Sequence, residues 1–165
     1  MDDARPSPEL DELIATVTGQ VERLTLDRFD HDDAWLLGTS LVELARSRGL
    51  PVVVDVRRPD HVLFHASLAG TVPDNDTWVE RKSRATLRFG APSFLLGLRA
   101  RARGTTFAAQ TGLPEQEYAA HGGSFPLVVR HVGVIGAVTV SGLPQADDHA
   151  LVVEALEAFV AGRRP

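Results

Sequence analysis

The fold is indicated most clearly by residues 125–141, FPLVVRHVGVIGAVTVS. Two runs rich in β-branched and apolar residues, 125–131 and 134–141, are joined by Val132-Gly133. Runs of this kind predict strands, and a glycine between them supplies the positive φ that a tight hairpin turn needs. The stretch therefore predicts an antiparallel hairpin with its turn at Val132-Gly133.

A second hairpin is predicted earlier in the chain. Residues 51–56, with the sequence PVVVDV, are typical of a buried strand. Proline in the second position of residues 58–61 favours a turn, and residues 61–68 return as the second arm. Residues 24–29 are predicted as a further short strand. Because hairpins pair their strands antiparallel, these segments predict a mainly antiparallel sheet of about five strands.

Helices are predicted before, between and after the hairpins, from apolar residues at helical spacing and from capping residues. They begin at Ser7, at Asp30, at a capping box in residues 77–80, at Ser93, and at Asp147 or Asp148. Helices on both faces of the sheet predict a three-layer α/β/α sandwich of the α/β (α+β) class. Residues 1–165 are expected to form a single domain with its core at about residues 20–160 and loose ends at 1–6 and 162–165.

Charge is unevenly distributed along the chain, whose formal net charge is −5. Residues 81–114 carry seven basic side chains and no acidic one, a local charge of +7, which leaves −12 on the remainder. This asymmetry indicates an anionic ligand or an acidic protein surface as the partner. Nucleic acid is not expected as a partner, because aromatic stacking residues are few and the whole chain is acidic.

Other features of the composition limit the function. The chain has no cysteine, which excludes disulfides and thiolate chemistry. No apolar run approaches the roughly 20 residues of a membrane span. The start Met1-Asp2-Asp3 is unlike a secretory signal. A cytoplasmic protein without a membrane partner is therefore expected.

Two motifs flank the predicted hairpin of residues 125–141. His121-Gly122-Gly123 precedes a strand, where glycine N–H groups can approach and hold an anion; a tight bend entering the strand is the alternative. Ser141 lies at a strand end and His149 in the first turn of a helix. That arrangement is compatible with anion binding, hydrolysis or simple helix capping, although no Gly-x-Ser-x-Gly nucleophile elbow accompanies the serine.

A third motif is Arg81-Lys82, in the helix predicted from residue 77. Lys82 is the only lysine of the chain, and the helical period places it on the side of Trp78 and Phe89. A lysine among apolar neighbours is desolvated with a lowered pKa, or is paired with a carboxylate. The alternative is a solvated arginine face with one lysine extending to water.

Together the motifs are similar to those of one known family. They comprise Asp33-Ala34, Leu37-Gly38, Gly70-Thr71, Asp74-Asn75, Trp78-Val79-Glu80-Arg81-Lys82, and residues 118–126, 136–145 and 148–149. Over about residues 20–160 the chain resembles the uncharacterised family grouped with the haem-degrading (HbpS/GlcG-like) domains. The family's motif positions are Arg81, Lys82, His121, Gly122, Gly123, Pro126, Ser141, Gly142, Asp148 and His149.

The resemblance implies an α/β/α sandwich, homo-oligomers and, in the wider superfamily, haem binding. Haem degradation is implied only by the name of the domain. His121 or His149 could supply the axial nitrogen to a haem iron, and Arg81 and Lys82 could hold its carboxylates. The candidate walls of an apolar slot are Trp78, Phe89 and Phe125.

Three hypotheses result. The leading one is a cytosolic homo-oligomeric domain that binds a small anionic ligand, with haem as a candidate, near His121 and Lys82. Its further candidate binding residues are Trp78, Arg81, Gly122, Gly123, Ser141, Asp148 and His149. The second is a non-enzymatic oligomeric adaptor or chaperone-associated protein, whose basic stretch meets acidic surface on a neighbouring subunit. The third is a hydrolase using Ser141 with His149, or a Schiff-base enzyme using Lys82.

Overall fold

The computed structural model describes residues 7–162 of the chain, which form six helices and four strands. The helices are α1 (Pro8–Arg23), α2 (His31–Ser47), α3 (Pro73–Phe89), α4 (Ser93–Ala102), α5 (Phe107–Thr111) and α6 (Gln145–Ala161). The strands are β1 (Val53–Arg58), β2 (His61–Ser67), β3 (Ser124–Val129) and β4 (Gly133–Ser141). The loose ends predicted at 1–6 and 162–165 lie outside the described residues, apart from Gly162. Between residues 7 and 162, no helix is both long and apolar enough to cross a membrane.

The four strands form one antiparallel sheet in the order β2-β1-β4-β3. The predicted mixed α/β class and antiparallel sheet are confirmed, but the expected count of about five strands is too high by one. The segment predicted as a short strand, residues 24–29, contributes only an isolated parallel bridge between Leu26 and Val129. Its two hydrogen bonds, Leu26 N–H to Val128 O and Arg130 N–H to Leu26 O, cover part of the β3 edge.

The two faces of the sheet differ in chemistry, because side chains alternate along each strand. One face is apolar and packs against α2 and α6 through a continuous cluster that includes Leu37, Leu41, Val54, Val138, Phe125 and Leu156. The other face carries the buried polar residues Asp55, Arg57, Ser124 and Thr139, and α3 covers it. Helices on both faces make the predicted three-layer sandwich.

The turn of the first hairpin lies at the predicted position. Arg58 pairs with His61, which leaves Pro59-Asp60 as the two turn residues. In the second hairpin Val129 pairs with Gly133, so the loop is residues 130–132 and not the predicted Val132-Gly133 turn. His131 takes the left-handed conformation there, with φ +64°. One more residue in the loop and a register shift at Leu127/Val128 account for the difference.

Helix starts were predicted well where a side chain caps the first turn. The Ser7 hydroxyl accepts a hydrogen bond from the Leu10 N–H, and Asp30 and Asp33 form a reciprocal capping box. The predicted start of α3 at Thr77 is wrong: α3 begins at Pro73, since the Asn75 side chain accepts from the Val72 N–H. The short helix α5 was not predicted.

The predicted cap of α6 is also wrong. Pro144 precedes the helix, which begins at Gln145, before Asp147 and Asp148. The Asp148 carboxylate instead accepts hydrogen bonds from the Gly142 and Leu143 N–H groups, at 3.4 and 3.0 Å. It therefore fixes the bend between β4 and α6, which forms one wall of the cavity described next.

Candidate functional site

One cavity lies where the end of β4, the start of α6 and the first half of α3 meet. Its volume is about 240 Å³. It is lined by Asn75, Trp78, Lys82, His121, Ser141, Gly142, Leu143, Gln145 and Asp148. We call it the Lys82 cavity. Because three separate elements contribute to it, chain topology brings its residues together rather than any single local motif.

The centre of the cavity is an ion pair between Lys82 of α3 and Asp148 of α6. Lys82 Nζ lies 2.8 Å from Asp148 Oδ2, and the two side chains are 4% and 1% exposed. Nζ also donates to the Val140 carbonyl oxygen at 3.2 Å. Burial lowers the pKa of Lys82 and raises the pKa of Asp148, although the attraction between the two groups opposes both shifts.

The amide and carboxylate oxygens of the cavity already accept hydrogen bonds. The Asn75 side-chain oxygen accepts from the Val72 N–H at 2.8 Å, and the Gln145 side-chain oxygen accepts from the Gly122 N–H at 3.2 Å. Because a backbone N–H can only donate, these bonds fix which end of each amide is the oxygen. The Asp148 oxygens are shared among Lys82 and two backbone N–H groups.

The hydrogen-bonding capacity left in the cavity is therefore mostly donor capacity. Within residues 7–162, neither the Asn75 nor the Gln145 amide nitrogen has a hydrogen-bond partner. Lys82 uses two of its three N–H groups. The Ser141 hydroxyl has no hydrogen bond to any described residue, although Ser141 is only 3% exposed. A ligand that accepts several hydrogen bonds matches this lining.

Aromatic and basic side chains form the rim of the cavity. The His121 ring packs edge-on against Trp78, with ring centroids 5.1 Å apart. The Arg81 guanidinium lies 4.2 Å from the Trp78 ring centroid and donates to the Glu115 carbonyl oxygen at 2.7 Å. Partial burial lowers the pKa of His121, and the positive charges of Lys82 and Arg81 lower it further. The rim therefore presents a neutral imidazole at pH 7.

The Gly122-Gly123 segment packs tightly behind the ion pair. A Cβ on Gly122 would lie 2.0 Å from the Gln145 carbonyl oxygen. A Cβ on Gly123 would lie 2.3 Å from the Val140 carbonyl oxygen and 2.8 Å from Lys82 Nζ, at a φ of +132°. Both glycines are thus required for close approach of the loop to β4 and α6. The Gly122 N–H donates to the Gln145 side chain and is therefore not free to hold an anion.

The structure brings together most of the residues predicted from the sequence. Five of them line the Lys82 cavity, namely Trp78, Lys82, His121, Ser141 and Asp148. Arg81 lies against Trp78 at the rim, and Gly122 and Gly123 lie behind the ion pair. The other two expected aromatic walls are elsewhere: Phe125 packs in the apolar core, and Phe89 contacts Phe107.

His149 is separated from the other predicted residues. It lines a second cavity, of about 330 Å³, together with Gln20 and Phe94. Its Nε2 lies 2.8 Å from the Gln20 side-chain oxygen, and its buried Nδ1 has no hydrogen-bond partner among residues 7–162. Neither nitrogen therefore bonds the Ser141 hydroxyl, so the structure does not form the Ser141–His149 pair that a hydrolase would need.

Two cavity residues with unused donors, Asn75 and Gln145, were not among the predicted binding residues. Both follow a proline by one or two positions, Pro73 and Pro144, at the start of a helix. Proline before or at the first helical position is a recognised start signal. Reading it at these positions would have placed both amides at helix N-termini.

The fold and the cavity together define a class: a three-layer α/β/α domain with a small donor-lined cavity at the junction of α3, β4 and α6. A family model described as "Haem degrading protein HbpS-like" matches residues 29–157. The chain therefore belongs to the HbpS-like family, as its motifs predicted.

Relatives of known sequence support this assignment. A UPF0303 protein of Streptomyces avermitilis is 54% identical over 160 residues, covering 97% of this chain and 96% of the relative. The UPF0303 protein SCO2848 of Streptomyces coelicolor is 56% identical over 147 residues, covering 89% of this chain and 93% of the relative.

Solved structures share the fold. The crystal structure of the Ybr137w protein has a TM-score of 0.82 at 31% identity, over 90% of this chain and 88% of that one. The structure of a PduOC:heme complex has a TM-score of 0.67 at 18% identity, over 79% of this chain and 94% of that one. At that identity the second likeness concerns the fold alone.

Proposed function

We propose that the Lys82 cavity binds a small anionic ligand through a carboxylate or phosphate group. The observation that carries the proposal is the state of the polar lining: its amide and carboxylate oxygens already accept hydrogen bonds, whereas its amide nitrogens and one N–H of Lys82 have no partner among the described residues. Charge-assisted hydrogen bonds to a carboxylate or phosphate are about twice as strong as neutral ones. An anion is the ligand that satisfies these donors best.

Two sources of positive potential lie near the free donors. Asp148 neutralises most of the charge of Lys82, so the attraction does not come from that lysine alone. Arg81 adds a cation at the rim, and the first turn of α6 directs the positive end of its helix dipole toward the residues around Gln145. These contributions act together with the free donors.

The family description names haem. The residues of the Lys82 cavity fit a carboxylate of haem but not its macrocycle. A volume of about 240 Å³ lies below the roughly 300–1,000 Å³ typical of sites for drug-sized ligands. Among the described residues, its lining includes only two large apolar side chains, Trp78 and Leu143, so the cavity does not form an apolar slot for a macrocycle. The site fits a carboxylate, whether of a small acid or of a haem propionate.

Isothermal titration calorimetry with lactate, inorganic phosphate and haem tests the proposal. The informative variant is Gln145→Glu, because a carboxylate keeps the acceptor for the Gly122 N–H while replacing the amide donor with a negative charge. The matched control is Gln110→Glu, which adds the same charge on α5 outside the cavity lining.

We expect saturable binding of lactate or phosphate that weakens at high salt. Loss of one charge-assisted bond, about 1.5–3 kcal/mol, predicts at least about tenfold weaker binding by Gln145→Glu. The Gln110→Glu control should bind like the parent chain. Equal binding by both variants, or no binding of any of the three probes, would contradict the proposal. If addition of haem gives a Soret shift and His121→Ala abolishes that shift, haem is identified as the molecule that supplies the bound carboxylate.

We also propose a homo-oligomer, on the observation that three arginines at the end of α4 are unused. Arg99, Arg101 and Arg103 are exposed, and they make no ion pair within the described part of the chain. An acidic surface of a second copy would match them, because the rest of the chain is strongly acidic. Light scattering tests this: Arg99→Glu/Arg103→Glu should lower the molar mass of the assembly, and an unchanged mass would count against this interface.

A further inference from the structure

Lys82 has the surroundings that a carbonyl-binding amine needs. It is the only lysine of the chain. Its side chain lines the Lys82 cavity, and its amine is held in place by the Val140 carbonyl oxygen at 3.2 Å. A carboxylate that can take up or return its proton, Asp148, lies 2.8 Å away.

We propose that Lys82 forms a reversible imine with 2-oxo acids, whose carboxylate is held by the amide donors of Asn75 and Gln145. This inference rests on the proposed function, because the carboxylate of the 2-oxo acid is the anion that the donors bind. It adds the substrate class: a small molecule with a carbonyl group next to its carboxylate.

The protonation state of the pair suits this chemistry. A nucleophilic lysine must be an uncharged amine, and desolvation of an ammonium group is a recognised way to obtain one. Burial lowers the pKa of Lys82 and raises the pKa of Asp148. Both shifts favour transfer of one proton from the ammonium to the carboxylate without any change in the net charge of the site.

The reaction balances without an oxidant or reductant. The Lys82 lone pair attacks the carbonyl carbon and forms the C–N bond, the carbonyl oxygen takes a proton from Asp148, and the nitrogen then returns one proton to the Asp148 carboxylate. Asp148 then protonates the hydroxyl group, which leaves as water while the nitrogen lone pair forms the C=N bond, and the remaining N–H proton passes back to Asp148. One amine and one 2-oxo acid give one imine and one water, and hydrolysis reverses the step.

Trapping with sodium borohydride tests the proposal on the intact chain. Borohydride donates hydride to the imine and converts it into a stable secondary amine, which intact-mass measurement and peptide mapping can locate. Because the chain has one lysine, the N-terminal amine is the only competing primary amine, and the two are separated by mapping. The probes are pyruvate, which has the carboxylate, and acetone, which lacks it.

We expect pyruvate to label Lys82 at least about tenfold faster than acetone does. Gln145→Glu should slow labelling by pyruvate by a similar factor, whereas Gln110→Glu should not. Labelling confined to the N-terminal amine would overturn the proposal, and equal rates for pyruvate and acetone would overturn the assignment of 2-oxo acids as substrates.

Lactate separates this inference from the proposed function, because it has the carboxylate but no carbonyl group. If lactate binds and pyruvate does not label Lys82, only the imine is excluded. If none of lactate, phosphate and haem binds, the anion site itself is excluded.

Discussion

Lys82 Nζ lies 2.8 Å from Asp148 Oδ2, and this ion pair connects the two helical layers of the sandwich across the end of β4. Lys82 comes from α3, which covers the polar face of the sheet, and Asp148 comes from α6, which packs on the apolar face. Asp148 also binds the backbone N–H groups of Gly142 and Leu143. The ion pair thus fixes the positions of α3 and α6, two walls of the Lys82 cavity, relative to the end of β4.

Removal of the lysine alone should destabilise the fold strongly. In Lys82→Met the Asp148 carboxylate keeps its backbone partners but loses its counter-charge in a buried position. Leaving one member of a buried ion pair unpaired costs about 3–5 kcal/mol. Because burial already favours a protonated Asp148, we expect the lower end of that range, about 3 kcal/mol, in urea unfolding.

The double variant Lys82→Met/Asp148→Asn provides the control. Its uncharged amide keeps an acceptor for the Leu143 N–H and removes the unpaired charge. It should recover at least about half of the loss seen in the single variant. Strictly additive effects of the two substitutions would show that the ion pair contributes no coupling energy.

Substitution of Gly123 should destabilise the loop behind the ion pair. A Cβ there would approach the Val140 carbonyl oxygen to 2.3 Å, at a φ of +132°. Gly104 is a matched control, because it also has positive φ, at +66°, but a Cβ added to it would have no other atom within 4 Å. Overpacking typically costs about 1–3 kcal/mol, so Gly123→Ala should lose about 2 kcal/mol more than Gly104→Ala in urea unfolding. Equal losses would mean that the close approach is relieved at no cost.

The parts of the fold that could be predicted from the sequence depend on local signals. Strands such as residues 51–56 and the caps at Ser7 and Asp30 are set by neighbours within a few residues. Local signals also predicted two alternatives for Lys82, a buried side chain or one that extends to water, and the structure shows the buried one. Its partner was not identified, because Asp148 is 66 residues away and their contact depends on the register of the sheet and the start of α6.

His149 shows why a motif can be misleading on a helix. It is adjacent to Asp148 in sequence, and the two were grouped as one set of binding residues. Consecutive helical residues are about 100° apart around the axis, because a turn takes 3.6 residues. Asp148 therefore faces the Lys82 cavity, whereas His149 faces α1 and α4 and contacts Gln20 and Phe94.

His65 should titrate at a higher pH than an ordinary histidine. Desolvation lowers its pKa, but hydrogen bonds and charge from Asp55 and Asp76, each 2.8 Å from a ring nitrogen, outweigh that effect and raise it. Its contribution to stability is then fully present below its unfolded pKa and is lost as pH rises through the raised value. NMR titration should show a lower His65 pKa in Asp76→Asn, and an unchanged pKa would contradict the role of Asp76.

His149 should give the opposite pH dependence. Burial lowers its pKa from 6.5 to about 4, so between these pH values the unfolded chain binds more protons than the folded one. Stability should therefore fall as pH decreases through this window, by up to about 3 kcal/mol, and should not change from this cause above it. Urea unfolding at pH 7, 5.5 and 4.5 measures the effect. The decrease should be smaller in His149→Phe, and an identical decrease would assign it to other groups.

The most direct test of anion binding in the Lys82 cavity uses the single lysine. Growth with ¹³C-labelled lysine gives one Cε signal, from Lys82, which NMR can follow during titration with lactate or phosphate. We predict a saturable shift of that signal in the parent chain and in Gln110→Glu, and a shift that needs at least about tenfold more ligand in Gln145→Glu. A Cε signal that does not move with either anion would contradict anion binding in this cavity.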